Sequence, residues 1–297
     1  MLTILLFIII LICLVYNSSL VIAGASNGLM LWYNNVLPIL LPFMLVSNII
    51  VNKISSLKHP DSSKSFYAFM STFLLGLLCG YPLGAKTTAD YVKSGIFSKK
   101  TGNILLPICN NCSPMFISGY VIHITLKNSI SFGETLFFIY FPYIFYSLFI
   151  ILFLHLTKKE KNRNTKPQKN NIPPHTNIKD TDLIMTSIVQ ITYVGVYIMI
   201  CSIIIEFLLH LNIFSEYITP AIAGVTEITR GLSEISNYHY SDAIKKALIL
   251  GVTSFGGLSA ILQTYKVIKK SGLSLVYYIV LKTICGITTF YMILLFV

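Results

Sequence analysis

The sequence predicts an all-α polytopic membrane protein, and three observations carry that expectation. The chain has 297 residues that are 55% hydrophobic and only 11% charged, outside the range of soluble globular domains. Its apolar stretches are continuous rather than alternating, which disfavours a transmembrane barrel. Polar, helix-breaking clusters interrupt several of them: Cys79-Gly80-Tyr81-Pro82-Leu83-Gly84-Ala85-Lys86, Cys109-Asn110-Asn111-Cys112-Ser113-Pro114, Gly224-Val225-Thr226-Glu227-Ile228-Thr229-Arg230-Gly231 and Ser254-Phe255-Gly256-Gly257-Leu258-Ser259. Lipid cannot hydrogen-bond a broken backbone, so such clusters persist at membrane depth only inside protein or beside a watery cavity. Recurring in two halves, they point to the midplane site of a carrier.

A spanning helix needs about 20 mostly apolar residues. Leu2–Ala23, Trp32–Val51, Thr135–Leu156, Leu183–Leu209 and Leu275–Val297 meet that length, although Lys282 interrupts the last. Leu2–Ala23 reads as a retained first helix rather than a signal peptide, because no basic residue precedes it and another apolar stretch follows. Pro38 and Pro42 are expected to kink or break the second segment. Ser131 followed by Glu134 has the spacing of a capping box and places a helix start there. Phe66–Ala85, Ile104–Leu126, Tyr217–Thr226 and Ala247–Tyr265 are apolar but broken.

Thr157–Asp182 is the one hydrophilic stretch, with Lys158, Lys159, Lys161, Arg163, Lys166, Lys169 and then Pro173-Pro174. It lacks apolar periodicity and reads as a cytoplasmic basic linker. It divides the chain into a first transmembrane half, 1–156, and a second, 183–297. The halves share a weak pattern: an apolar run reaches a glycine break near Gly80 or Gly256 and ends in Lys93-Ser94-Gly95 or Lys270-Ser271-Gly272. Lysines on both sides of these two segments argue that both are re-entrant hairpins on the same face. An inverted repeat would put two hairpins on opposite faces. The two expectations conflict.

The net charge of +11 comes from lysines beside apolar spans, so its expected partner is the lipid surface and not nucleic acid. The cysteines at 109 and 112 form a C-x-x-C with no second pair, and buried, inert thiols are expected rather than a metal site. No nucleophile–base pair, paired catalytic carboxylates or nucleotide-binding loop is visible, so an enzyme is not expected.

Binding residues are sought at the breaks. Charges at mid-bilayer cost roughly 2.5–3.5 kcal/mol on insertion scales, so Glu227 and Arg230, on one helical face, are expected to pair or to face a cavity. A helix end at the interface, with Gly231 as its stop, is the plainer reading. Thr226 and Thr229 add hydroxyls beside them. Asn110, Asn111 and Ser113 lie between Pro107 and Pro114, where freed amides suit a polar ligand or a coordinated ion, or else form an ordinary loop between two short helices. Lys86 stands at an expected helix start after Pro82, a place that attracts anions, and reads equally as one more cytoplasmic anchor. Gly256 and Gly257, with Ser254 and Gln263, resemble a hairpin tip, or else a close helix–helix contact.

The words Gly80-Tyr81-Pro82-Leu83-Gly84-Ala85, Cys109-Asn110-Asn111-x-Ser113-Pro114, Glu227-Ile228-Thr229-x-Gly231 and Ser254-Phe255-Gly256-Gly257-Leu258-Ser259 resemble the bacterial family of sporulation integral membrane proteins called YlbJ. The resemblance runs from about Trp32 to the C-terminus. It implies a nucleoside-recognition, or gate, domain distantly like the concentrative nucleoside transporters. It also implies carriage of dipicolinate, a pyridine dicarboxylate, across the outer forespore membrane. On that reading Arg230 takes a carboxylate, Glu227 orients it or carries a proton, and Lys86, Asn110, Asn111 and either Tyr81 or Phe255 complete the site. A coupling proton or sodium ion is the one cofactor with a place in this scheme. An ion-coupled nucleoside carrier and a structural membrane protein of spore assembly stand as alternatives, and a homo-oligomer stays open.

Overall fold

The structure is a computed structural model that describes residues 2–56, 64–156, 180–211 and 213–296. All the regular elements among them are helical, and five helices are long and apolar enough to cross a membrane. The protein is an all-α polytopic membrane protein. The linker expectation at Thr157–Asp182 lies outside the described residues, apart from 180–182 at the start of a helix.

The chain begins with α1 (Leu2–Tyr16), which turns at Asn17 into α2 (Ser18–Leu31). A π-helical turn, Trp32–Val36, then leads into α3 (Leu37–Ser56). The prolines do not break this run. The wide turn lies immediately upstream of Pro38, where a proline removes a backbone donor and crowds the preceding turn, and the helix continues through Pro42.

The next two helices, α4 (Lys64–Cys79) and α5 (Leu83–Lys93), form a hairpin. Ser71 on one arm hydrogen-bonds Tyr91 on the other at 2.9 Å, and Gly76 lies against Gly84. These pairs are centred on the break at Gly80–Pro82, so the chain enters and leaves on one face. Then α6 (Lys99–Cys109) stops at Asn110–Ser113 and resumes as a short α7 (Pro114–Phe116) that widens into a π-helix over Ile117–Thr125. The long helix α8 (Phe132–Leu156) follows. Its start is the expected capping box: Glu134 accepts the Ser131 backbone N–H at 3.1 Å, and Ser131 Oγ accepts that of Glu134 at 3.3 Å.

The second half runs through the same kinds of element. The long α9 (Asp180–Leu211) is followed by α10 (Thr219–Thr226) and α11 (Ile228–Asn237), again a hairpin. Here Tyr240 just beyond one arm donates to the Tyr217 carbonyl before the other, and Gly224 touches Gly231 backbone to backbone. Gly231 is therefore a crossing point inside α11, not the helix stop considered from sequence. Next, α12 (Asp242–Phe255) and α13 (Gly257–Ile268) form one crossing broken at Gly256, and α14 (Leu275–Phe296) ends the described chain.

This arrangement corrects the expectation that Phe66–Ala85 and Ala247–Tyr265 are matching hairpins. The first is a hairpin, whereas the second crosses the membrane in two pieces, and the hairpin of the second half is α10–α11. It also removes the conflict over faces. α2–α3 and α9 run antiparallel, with Gly24 against Ile203, Gly28 against Met199 and Trp32 Nε1 donating to the Ile191 carbonyl at 3.0 Å. Tracing the crossings from there, α4–α5 enters from the face where α8 ends and α9 begins. The α10–α11 hairpin enters from the opposite face. Lys93, Lys99, Lys100, Lys266, Lys269 and Lys270 all fall on the first of these faces. Lys127, Lys245 and Lys246 fall on the other, beside Glu134, Glu216 and Asp242.

Candidate functional site

The four breaks meet at one level, and the residue that joins three of them is Lys282, in the second turn of α14. It is fully buried. Its Nζ donates to Tyr81 Oη at 2.6 Å, to Asn111 Oδ1 at 2.7 Å and to the Ser254 carbonyl at 2.8 Å. These acceptors belong to the α4–α5 tip, the α6–α7 break and the end of α12. The ammonium also lies 5.1 Å from the Tyr81 ring centre and 4.9 Å from that of Tyr143, in cation–π range. Tyr143, from α8, donates to the same Ser254 carbonyl. A broken helix leaves carbonyls without intrahelical partners, and here a lysine and a tyrosine supply the missing donors.

The asparagine pair divides into two structural tasks. Asn110 Oδ1 accepts the Ala85 N–H at 3.2 Å, satisfying a donor in the first turn of α5. Its Nδ2 donates to Thr264 Oγ1 at 2.8 Å and Tyr278 Oη at 2.9 Å. Asn111 Nδ2 donates to the Pro107 and Ile108 carbonyls, both at 2.9 Å, leaving Oδ1 for Lys282. Both amides are thus turned into the protein, not offered to a ligand. Ser113 caps α7 by accepting the Phe116 N–H at 3.2 Å. The Cys109 and Cys112 thiols are buried and free. Among the described residues no cluster of His, Cys, Asp or Glu is suited to a metal ion.

Glu227 and Arg230 do not pair through their side chains. Glu227, buried at the tip of α10–α11, is the N-cap of α11 and accepts the Arg230 backbone N–H at 2.7 Å. The Arg230 guanidinium turns the other way, to Glu234 at 2.7 Å and to Glu206 of α9 at 3.5 Å. Asn27 of α2 reaches the same Glu206 oxygen at 3.5 Å. Spacing alone suggested an i, i+3 pair. The break at Glu227 gives it extended backbone, so its side chain folds over the helix start instead.

The other expected residues separate into lining and support. Lys86 is exposed on α5 and does not point into the site. Thr226 bonds back to the Ile222 carbonyl at 2.9 Å, and the Thr229 carbonyl accepts the Tyr120 hydroxyl at 2.7 Å. Gly256 has φ +91°, and a Cβ there would lie 2.2 Å from Tyr81 Oη. The α4–α5 tip therefore meets the break between α12 and α13 through a contact that leaves no room for a side chain.

A cavity opens at this meeting point. Its polar lining comes from Tyr81, Ser113, Glu227, Thr229, Ser259 and Gln263, and one wall is Val36, Leu40, Val194 and Ile198 of α2–α3 and α9. It gives about 70 Å³ to the centres of water molecules, several times the ~10–15 Å³ that one ordered water needs. Among the described residues no Lys or Arg side chain lines it; of its lining residues Lys282 reaches only Tyr81, at the hydroxyl. No family model, curated protein or solved structure matches this chain.

Lys282 was legible in the sequence only as an interruption of an apolar segment. The signal that could have singled it out is its depth: seven residues into α14, it is too far inside for an interfacial anchor.

Proposed function

We propose that the protein is a secondary carrier that moves a small solute through a site at the centre of the membrane. The observation that carries this reading is the convergence of four chain breaks, from both halves, on one cavity that polar side chains help to line. Two hairpins entering from opposite faces, with two crossings interrupted at the same depth, are what an alternating-access carrier of inverted repeats needs.

The substrate we propose is dipicolinate, carried across the outer forespore membrane, with the face bearing the linker in the cytoplasm. The resemblance of the sequence words to the sporulation family supports the solute, and the bias of lysines to one face supports the orientation. Tyr81 offers an aromatic face, and Ser113, Thr229 and Gln263 offer hydrogen bonds. The cavity is smaller than the ~300–1,000 Å³ of small-molecule sites, so loading includes separation of the tips from the α2–α3 and α9 wall. Glu227, at the cavity, is placed to carry a coupling proton. That same carboxylate supports a second reading, a neutral polar solute such as a nucleoside, since acid and not base lines the cavity.

Uptake into proteoliposomes decides between these readings. Labelled dipicolinate should accumulate under an imposed proton or sodium gradient, and excess nucleoside should not compete. Competition by nucleosides favours the second reading, and no uptake of either solute removes the carrier assignment.

A further inference from the structure

Among the described residues two cations lie at the level of the breaks, Lys282 fully buried and Arg230 partly so, and only Arg230 is neutralised. Arg230 has carboxylates at 2.7 and 3.5 Å. Lys282 has none within 4 Å among the described residues, and its three donors all go to neutral oxygens. A fully desolvated ammonium with no counter-charge is a costly state, and fixed neutral acceptors offset only part of that cost. Two of its acceptors, Asn111 Oδ1 and the Ser254 carbonyl, are locked by other bonds or by backbone. The third is different: Tyr81 Oη belongs to a side chain that also lines the cavity. The Tyr81 hydroxyl is thus the one acceptor of Lys282, among the described residues, whose side chain lines the cavity.

We infer that Lys282 is the binding residue for an anionic group of the transported solute, reached from the cavity when that group displaces the Tyr81 hydroxyl from Nζ. This rests on the carrier reading above and deepens it by naming the cation that takes the anion, a role that sequence spacing assigned to Arg230. A carboxylate oxygen arriving at Nζ exchanges an ammonium–hydroxyl hydrogen bond for an ammonium–carboxylate ion pair and supplies the missing counter-charge. Tyr81 then acts as a shutter: closed on an empty site, swung aside by the solute. Gly256 leaves the space that the hydroxyl occupies when closed. Because Lys282 also ties three breaks together, drawing its ammonium toward a carboxylate changes the strain on both halves at once.

The test uses the full chain purified in detergent, with pyridine-2,6-dicarboxylate, its neutral diamide and sodium chloride as probes. Thermal stabilisation is measured for wild type, Lys282→Met and Tyr81→Phe, and dicarboxylate uptake is followed separately in proteoliposomes. The dicarboxylate should stabilise wild type in a saturable way, and the diamide and chloride should not. Lys282→Met keeps the volume without the charge, so the dicarboxylate shift should disappear, whatever the melting point of the unliganded variant after it loses the three hydrogen bonds of Nζ. Tyr81→Phe removes the competing hydroxyl and should tighten the dicarboxylate at least about threefold, a conservative share of a hydrogen bond to a charged group. This second variant keeps the idea falsifiable if Lys282→Met fails to fold. An undiminished shift in folded Lys282→Met overturns the inference, as do weaker binding in Tyr81→Phe, an equal shift with the diamide or chloride, and no shift in wild type. Uptake that persists in Lys282→Met sinks the Lys282 assignment alone, whereas absent uptake by wild type sinks the carrier reading.

Discussion

A methyl group added at Gly256 tests the contact on which the site depends. The residue has φ +91°, and its Cβ would lie 2.2 Å from Tyr81 Oη and 2.9 Å from Tyr81 Cζ. Placing alanine in left-handed backbone costs about 1–2 kcal/mol. The hydroxyl must also retreat by roughly 1 Å to reach even a tight van der Waals separation, which breaks its 2.6 Å bond to Lys282. Losing a hydrogen bond to a charged group costs about 1.5–3 kcal/mol, so Gly256→Ala should destabilise by about 2.5–5 kcal/mol. At about 2 °C per kcal/mol for a chain of this size or larger, the apparent melting temperature in detergent should fall by roughly 5–10 °C. Gly133→Ala is the control, because a Cβ there meets nothing within 4 Å. Adding Tyr81→Phe removes the nearer of the two clashing atoms, so the double variant should lose less than the two single losses together. If Gly256→Ala melts with Gly133→Ala and transports like wild type, the tips do not touch as described and the shutter argument goes with them.

Three further outcomes follow from the same geometry. Arg230→Met should lower the melting temperature by a few degrees, about 1–2 kcal/mol for a partly exposed network, and Glu234→Gln should restore part of it. Transport lost at unchanged stability would instead make Arg230 a solute ligand. Gly231→Ala places a Cβ 2.0 Å from the Gly224 Cα and should cost about 1–3 kcal/mol by forcing the α10–α11 arms apart, read as loss of monodisperse protein on gel filtration. Single cysteines at Asn170 and Lys270 should label only with membrane-permeant reagent in intact cells, while cysteines at Lys127 and His239 should label with impermeant reagent. Identical labelling at Lys270 and Lys127 would refute the crossing order.

The fold class and the positions of the breaks were legible in the residues because both follow from local rules. An apolar run of about 20 residues has no stable alternative to a helix in lipid. Gly80, Pro82, Pro114 and Gly256 disfavour a continuous helix whatever surrounds them. The capping box at Ser131 and Glu134 is likewise closed within four residues, and it forms as its spacing indicates. The hairpin pairing was not legible in the same way. Phe66–Ala85 and Ala247–Tyr265 share glycines and a Lys-Ser-Gly ending, yet one turns back and the other crosses. The choice rests on partners distant in sequence, such as Tyr91 for Ser71 and Gly286 for Gly251.

The sequence by itself determined that this chain is a helical membrane protein whose helices break at four polar clusters, since those properties depend on composition and neighbours along the chain. Which charges are neutralised, which amides are spent inside the protein and which side chains face the cavity were decided only by tertiary structure. Lys282 joins residues 201 and 171 positions away along the chain, and Arg230 takes a carboxylate from α9 that no local spacing reveals. Electrostatics at mid-membrane depends on distances of a few ångströms in a medium that screens little, and those distances exist only once the two halves have packed.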